Sequence, residues 1–253
     1  MIALIGAGNV ATWLVEKLQN SKEFPIGQVY SRHLENAKTL AEKVGAEPID
    51  DLHQLNPACD LFVFALKDDA YPQIFSNIPF KMSTAVLTAG SVSQNVLKPF
   101  AEQYGVVYPL QTFSKNTDMS DLKVPICIEN SCLGEKSGMV ERFAAELSDK
   151  CCFMNESQRF ATHLAAVFAC NFSNAVCGMA DEILRENDLD FDVLLPLLQQ
   201  TMSKLDTLSP EEAQTGPAVR GDMSVMNKHL DALDDEKKEV YHCISNYIAK
   251  KRK

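Results

Sequence analysis

The sequence lacks any uninterrupted apolar run approaching the ~20 residues that a helix needs to cross a bilayer. It also lacks the basic stretch that opens an export signal: Met1 leads straight into Ile2-Ala3-Leu4-Ile5, and glycines follow at once. The expected setting is the cytoplasm, with no membrane partner. Positive charge is scarce, since 24 Lys and Arg stand against 34 Asp and Glu, a formal net charge of -10. That balance argues against nucleic-acid binding, which needs a concentrated basic surface. The one basic cluster, Lys250-Lys251-Arg252-Lys253, reads as a solvated helix end. Cys-x-x-Cys pairs are missing as well, although there are 8 cysteines (Cys59, Cys127, Cys132, Cys151, Cys152, Cys170, Cys177 and Cys243). Reduced cysteines acting as small buried hydrophobes are expected, and no metal site. Internal repeats, low-complexity tracts and long linkers are absent too.

What is present falls into two patterns. Up to residue 154, short apolar runs alternate with amphipathic stretches, as in a βαβ sheet. Strands are predicted at Ile2–Ile5, 28–30, 46–49, 61–66, 85–87, 106–108, 125–128 and 151–154, and helices at Asn9–Leu18, 36–44 and 134–147. From residue 155 onward strand signals stop. Helices are predicted at 157–185, 192–204, 221–234 and 236–250, with Pro210 and Gln214-Thr215-Gly216-Pro217 marking a loop. The expectation is an α/β fold in two domains: a mostly parallel sheet domain over 1–154 and an all-helical domain over 155–253.

Gly6-Ala7-Gly8-Asn9-Val10-Ala11 follows the first strand directly and opens a helix. In a Rossmann unit the first glycine of G-x-G-x-x-A permits the tight turn and the second lets the backbone approach a pyrophosphate. The alanine allows close helix–strand packing. An NAD-binding strand ends in a carboxylate for the ribose hydroxyls; here the second strand ends in Tyr30-Ser31-Arg32-His33. Ser31 and Arg32 suit a 2′-phosphate, so NADP is the expected cofactor. Ala65-Leu66-Lys67-Asp68-Asp69 and Thr88-Ala89-Gly90-Ser91 are further strand ends. Leu66 and Lys67 are expected along the cofactor and Ser91 near the nicotinamide; Asp68 and Asp69 suit a helix cap equally well.

The predicted helix 157–185 is apolar around most of its circumference and is expected to be buried. At ~100° per residue His163, Asn174 and Asp181 share one side, with Asn171 close by. Such a stripe suits a catalytic crevice, with His163 as proton donor and Asn171 and Asn174 orienting a carbonyl. It suits plain helix–helix hydrogen bonding equally. Arg220, after Thr215-Gly216-Pro217, suits a substrate carboxylate, or else pairs with Asp222 in a turn.

The glycine motif, Tyr108-Pro109-Leu110-Gln111-Thr112-Phe113, His163-Leu164-Ala165-Ala166 with Asn171-Phe172, and Thr215-Gly216-Pro217 with Arg220-Gly221-Asp222 occur together. The set resembles the Rossmann-like NADP oxidoreductases with an uncharacterised C-terminal helical domain. Wider relatives are the pyrroline-5-carboxylate reductases, the 6-phosphogluconate dehydrogenase-like β-hydroxyacid dehydrogenases and the deazaflavin-dependent NADP oxidoreductases. Some closer members resemble an alternative ketopantoate reductase. The resemblance implies an NADP-dependent reductase whose helical domain makes a homodimer. One departure stands out: the β-hydroxyacid dehydrogenases carry Lys-x-x-x-Asn on the long helix, whereas Val167 lies four residues before Asn171. Either His163 takes the lysine's role or the chemistry differs. The expected reaction is reduction of a small oxo acid, ketopantoate being the favoured example. An imine reductase and a non-catalytic NADP(H)-binding regulator are the alternatives.

Overall fold

The computed structural model describes residues 1–114, 123–131 and 138–251. They divide into two compact units, Met1–Cys170 and Asn171–Lys253. The first carries an eight-stranded sheet in the order β3-β2-β1-β4-β5-β6-β7-β8. Its strands are β1 (Ile2–Ile5), β2 (Ile26–Tyr30), β3 (Glu47–Ile49), β4 (Leu61–Phe64), β5 (Met82–Leu87), β6 (Ala101–Pro109), β7 (Ile126–Asn130) and β8 (Cys151–Phe153). All neighbours run parallel except β6 and β7. Pro48, which has no amide hydrogen to give a ladder, sits in the edge strand β3.

Helices α1 (Asn9–Leu18), α2 (Leu34–Val44), α3 (Tyr71–Ser76) and α4 (Gly138–Leu147) accompany the sheet. The strand period of two sends alternate side chains to opposite faces. Ile2, Leu4, Leu61 and Val63 join one core with Trp13, Leu14, Leu40 and Phe143. Ala3, Ile5, Phe62 and Phe64 join the other with Tyr71, Ile74 and Phe75. Strands buried on both faces read as unbroken apolar runs, which is why β1 and β4 stood out in the sequence. The helix predicted at 134–147 is seen from Gly138, its expected first turn lying outside the described residues.

Helix α5 (Glu156–Ala166) opens on an Asn155–Gln158 capping box, continues through a π-helical segment at Val167–Phe172 and becomes α6 (Ser173–Arg185). The compact division therefore falls inside the predicted helix, whereas the change of sequence pattern lies at 154/155. The expected burial of this helix is overturned, because among its residues Arg159 alone is buried. Phe160, Leu164, Phe168, Phe172 and Val176 are exposed. By length and composition alone, Glu156–Arg185 is the one helix among the described residues long and apolar enough to cross a membrane. The sequence showed its apolar character but not what covers it.

In the second unit follow α7 (Leu195–Ser203), α8 (Pro210–Ala213), α9 (Pro217–Arg220), α10 (Met223–Ala232) and α11 (Asp235–Lys251). Its described residues bury only Ala218 and Ser245. Lys237 links Glu182 and Asp234 at 2.9 and 2.6 Å, and His229 Nδ1 meets Tyr241 Oη at 3.0 Å. The cysteine expectation is corrected in part: Cys59 and Cys127 are buried, whereas Cys170 and Cys243 are exposed. Cys132 lies outside the described residues, as do Arg252 and Lys253 of the basic tail.

Candidate active site

The parallel register brings the carboxyl ends of β1, β2, β4 and β5 to one edge. Gly6 N donates to Tyr30 O at 2.9 Å and Ala65 N to Ile5 O at 2.8 Å, so the turns after these strands lie side by side. The sheet order reverses at β1, and an open α/β sheet binds ligands at such a switch point. A crevice of about 1120 Å³ opens there.

The opening turn needs its glycine. Gly6 adopts φ +122°, and a Cβ there would stand 2.1 Å from Ala65 O. Gly8, by contrast, leaves open space where its Cβ would be. It precedes α1, whose first turn carries no acidic residue, so amide hydrogens and the positive end of the helix dipole are free for an anion. The segment after β6 folds back onto this turn: Asn9 Nδ2 donates to Phe113 O at 2.8 Å, and Phe113 packs 5.0 Å from the Trp13 ring. That packing explains why Tyr108–Phe113 and the glycine motif occur together.

Nine of the ten residues expected at the cofactor line the crevice: Gly6, Ala7, Gly8, Asn9, Val10, Ser31, Arg32, Leu66 and Lys67. Ser91 does not; its hydroxyl bonds to Asp68, which does. Arg32 is exposed and therefore available, while buried Ser31 accepts the amide of His33 at 3.3 Å. Asp50 and Asp51, after β3, line the same crevice.

At the β5 end a polar group appears that the sequence did not disclose. Tyr108, on β6, lines the crevice, and its Oη lies 3.0 Å from His163 Nδ1 on α5. Gly90 makes room for both: a Cβ there would come within 2.8 Å of the Tyr108 ring and 2.9 Å of the His163 ring. Burial pushes the Tyr108 phenol up to about 12; Cys127 and Asp68 push the same way and Arg159 opposes.

Arg159, one turn before His163, is fully buried. Its Nη1 donates to Gly90 O at 2.6 Å and Ala89 O at 3.3 Å, and its Nη2 meets Glu129 Oε2 at 2.9 Å. A guanidinium satisfied on three sides ties α5 to the end of β5 and fixes the ring beyond it. The visible signals were an arginine in the first turn of an apolar helix and a tyrosine at a strand end. Neither motif by itself reveals a partner distant in sequence.

The other expected catalytic residues lie in the second unit. Asn171 and Asn174 are exposed, not members of a buried stripe, and Asp181 pairs with Arg185 at 2.7 Å. The stripe assumed an unbroken 3.6 period; the π segment between His163 and Asn174 shifts the face presented by everything after it. Arg220 is exposed at the end of α9, and Asp222 caps α10 by accepting from Val225 N at 3.3 Å. The turn is therefore closed by a helix cap.

A crystal structure from Bacteroides fragilis, named a "putative NADP oxidoreductase", matches with 41% identity, a TM-score of 0.91, and 98% of this chain and 97% of that one covered. The chain belongs to this oxidoreductase family. Within it, residues 1–88 match the model described as NADP oxidoreductase coenzyme F420-dependent, and residues 124–248 match a domain of unknown function. A Thermotoga maritima protein matches at 20% identity, TM-score 0.81, covering 100% of this chain and 99% of that one. A 1-pyrroline-5-carboxylate reductase from Streptococcus pyogenes matches at 16% identity, TM-score 0.66, covering 98% of each chain. At those two identities the likeness is one of fold. No protein with a curated description matches the chain. The family membership makes the protein an oxidoreductase, with the crevice as its candidate active site.

Proposed function

We propose that this oxidoreductase uses NADPH to reduce a small oxo acid, with ketopantoate the favoured example. The observation that carries the reading is one crevice lined by a glycine turn at a helix N-terminus, an exposed arginine after β2 and, at the β5 end, a tyrosine bonded to a histidine. These residues fit the cofactor. The space beside Gly8 admits a pyrophosphate, and Arg32 offers a guanidinium to a 2′-phosphate. Bound NADPH would supply a hydride. The Tyr108–His163 pair would supply the proton that turns the reduced oxygen into a hydroxyl. Binding at the adenosine end and proton delivery at the other are then separate tasks of separate residues.

A second reading is reduction of a C=N bond. It draws on the fold neighbours, which include a pyrroline-5-carboxylate reductase and a reductive aminase in complex with NADPH and ethyl-5-oxohexanoate. The deciding experiment follows NADPH oxidation with ketopantoate, a panel of 2-oxo acids, and pyrroline-5-carboxylate. Turnover of an oxo acid supports the first reading and proline formation the second. Arg32→Ala is expected to weaken NADPH at least tenfold while leaving NADH almost unchanged. No turnover by protein that binds NADPH rejects the reductase reading. Loss of cellular function in Arg32→Ala, with none in His163→Gln, favours an NADP(H)-binding regulator. We also propose a homodimer, supported by the exposed apolar face of α5 and by the small buried interior of the second unit.

A further inference from the structure

The proposed reduction leaves open which member of the pair meets the substrate. We propose that Tyr108 is the catalytic proton donor and that His163 stands behind it as the proton's source. Tyr108 lines the crevice, whereas His163 is absent from its lining and touches the phenol oxygen through Nδ1 at 3.0 Å. The phenol therefore borders both the crevice and the imidazole. Gly90, with no side chain, leaves room for both rings, and Arg159, on the same helix as His163, donates to Gly90 O at 2.6 Å. This wall fixes the pair while leaving His163 half-exposed. Besides its bonded His163, the Tyr108 phenol feels the charges of Asp68, Cys127 and Arg159.

The assignment rests on the reductase reading, and its step balances. NADPH, when bound, would supply the hydride to the carbonyl carbon, and Tyr108 would give its proton to the oxygen as the C=O π bond breaks. The phenolate takes the Nδ1 proton of an imidazolium at His163, and the imidazole is recharged from water. Net consumption is one hydride and one solvent proton for each hydroxyl formed. A phenol alone is slow to regain a proton from neutral water, whereas a half-exposed imidazole bonded to it passes one on from solvent, so the two together do what neither does well.

The test uses the full-length protein saturated with NADP+, so that binding is seen without turnover. Tyrosine is labelled with 13C at the ring carbon bearing oxygen, histidine with 15N, and ketopantoate and the other 2-oxo acids are added. The Tyr108 resonance, assigned by its loss in Tyr108→Phe, is expected to shift on addition, and the His163 nitrogen to follow only when Tyr108 is present. In steady state with NADPH, Tyr108→Phe is expected to lower kcat at least 100-fold with the KM for NADPH unchanged. His163→Gln, which keeps a hydrogen-bonding atom, should lower kcat about tenfold while the Tyr108 resonance still shifts on addition. A His163 shift that persists in Tyr108→Phe, or a Tyr108→Phe enzyme within threefold of wild type, overturns the assignment alone. Wild-type protein that neither shifts nor oxidises NADPH with any of these compounds overturns the oxo-acid reading and the assignment with it.

Discussion

At the scale of the residue, the two glycines of the opening turn do different work. A side chain at Gly6 meets a strand carbonyl in a conformation that L residues rarely adopt, so Gly6→Ala is expected to cost about 1–3 kcal/mol of stability as well as binding. A side chain at Gly8 meets nothing in the protein, so Gly8→Ala should keep its melting temperature and lose NADPH affinity. Thermal melts paired with calorimetric titration separate the two. Cys127 gives a pH prediction. Burial raises its thiol from 9.0 to about 11, with Cys152 adding and Arg159 opposing, so folding favours the protonated form. Its contribution is complete below pH 9 and is lost as pH rises through about 11, on the order of 2 kcal/mol. Denaturant unfolding should therefore weaken across that window, and less steeply in Cys127→Ala. At neutral pH a thiol reagent should label Cys170 and Cys243 and spare Cys127.

At the scale of the element, α5 matters because one buried charge anchors it. Removing one partner of a buried ion pair typically costs about 3–5 kcal/mol, since the other charge is left unpaired. Arg159→Met is expected to fall in that range, and Arg159→Met with Glu129→Gln to recover part of the loss, as measured in urea. The same variant should loosen the Gly90 end of β5 and with it the Tyr108–His163 contact. The strands were legible in the sequence wherever both faces are buried, as in Leu61–Phe64, because a short unbroken apolar run suits a strand covered on both sides and little else. The long helix was legible in extent but not in burial. Its apolar surface looks the same in sequence whether a core or a second chain covers it, and its π segment leaves no sequence trace that a 3.6 period would reveal.

At the scale of the whole molecule, the first unit is a doubly covered sheet, and the second has few buried residues of its own. If a second copy covers the exposed face of α5, wild-type protein sediments as a dimer. Leu164→Asp should then weaken association at least tenfold while the crevice, built within Met1–Cys170, still binds NADPH. Analytical ultracentrifugation with a parallel NADPH titration checks both. A wild-type monomer at micromolar concentration rejects the homodimer.

The sequence alone determined the sheet, the glycine turn after its first strand and the arginine after its second. Each of these is a local pattern, namely an apolar run, a glycine spacing, or a residue one step beyond a strand. Only the tertiary structure decided that Tyr108 and His163 meet, because 55 residues separate them and no periodicity links a strand end to a helix face. It also decided that the polar residues after the π segment form no buried stripe with His163, because a change of helical period moves side chains that the sequence lines up.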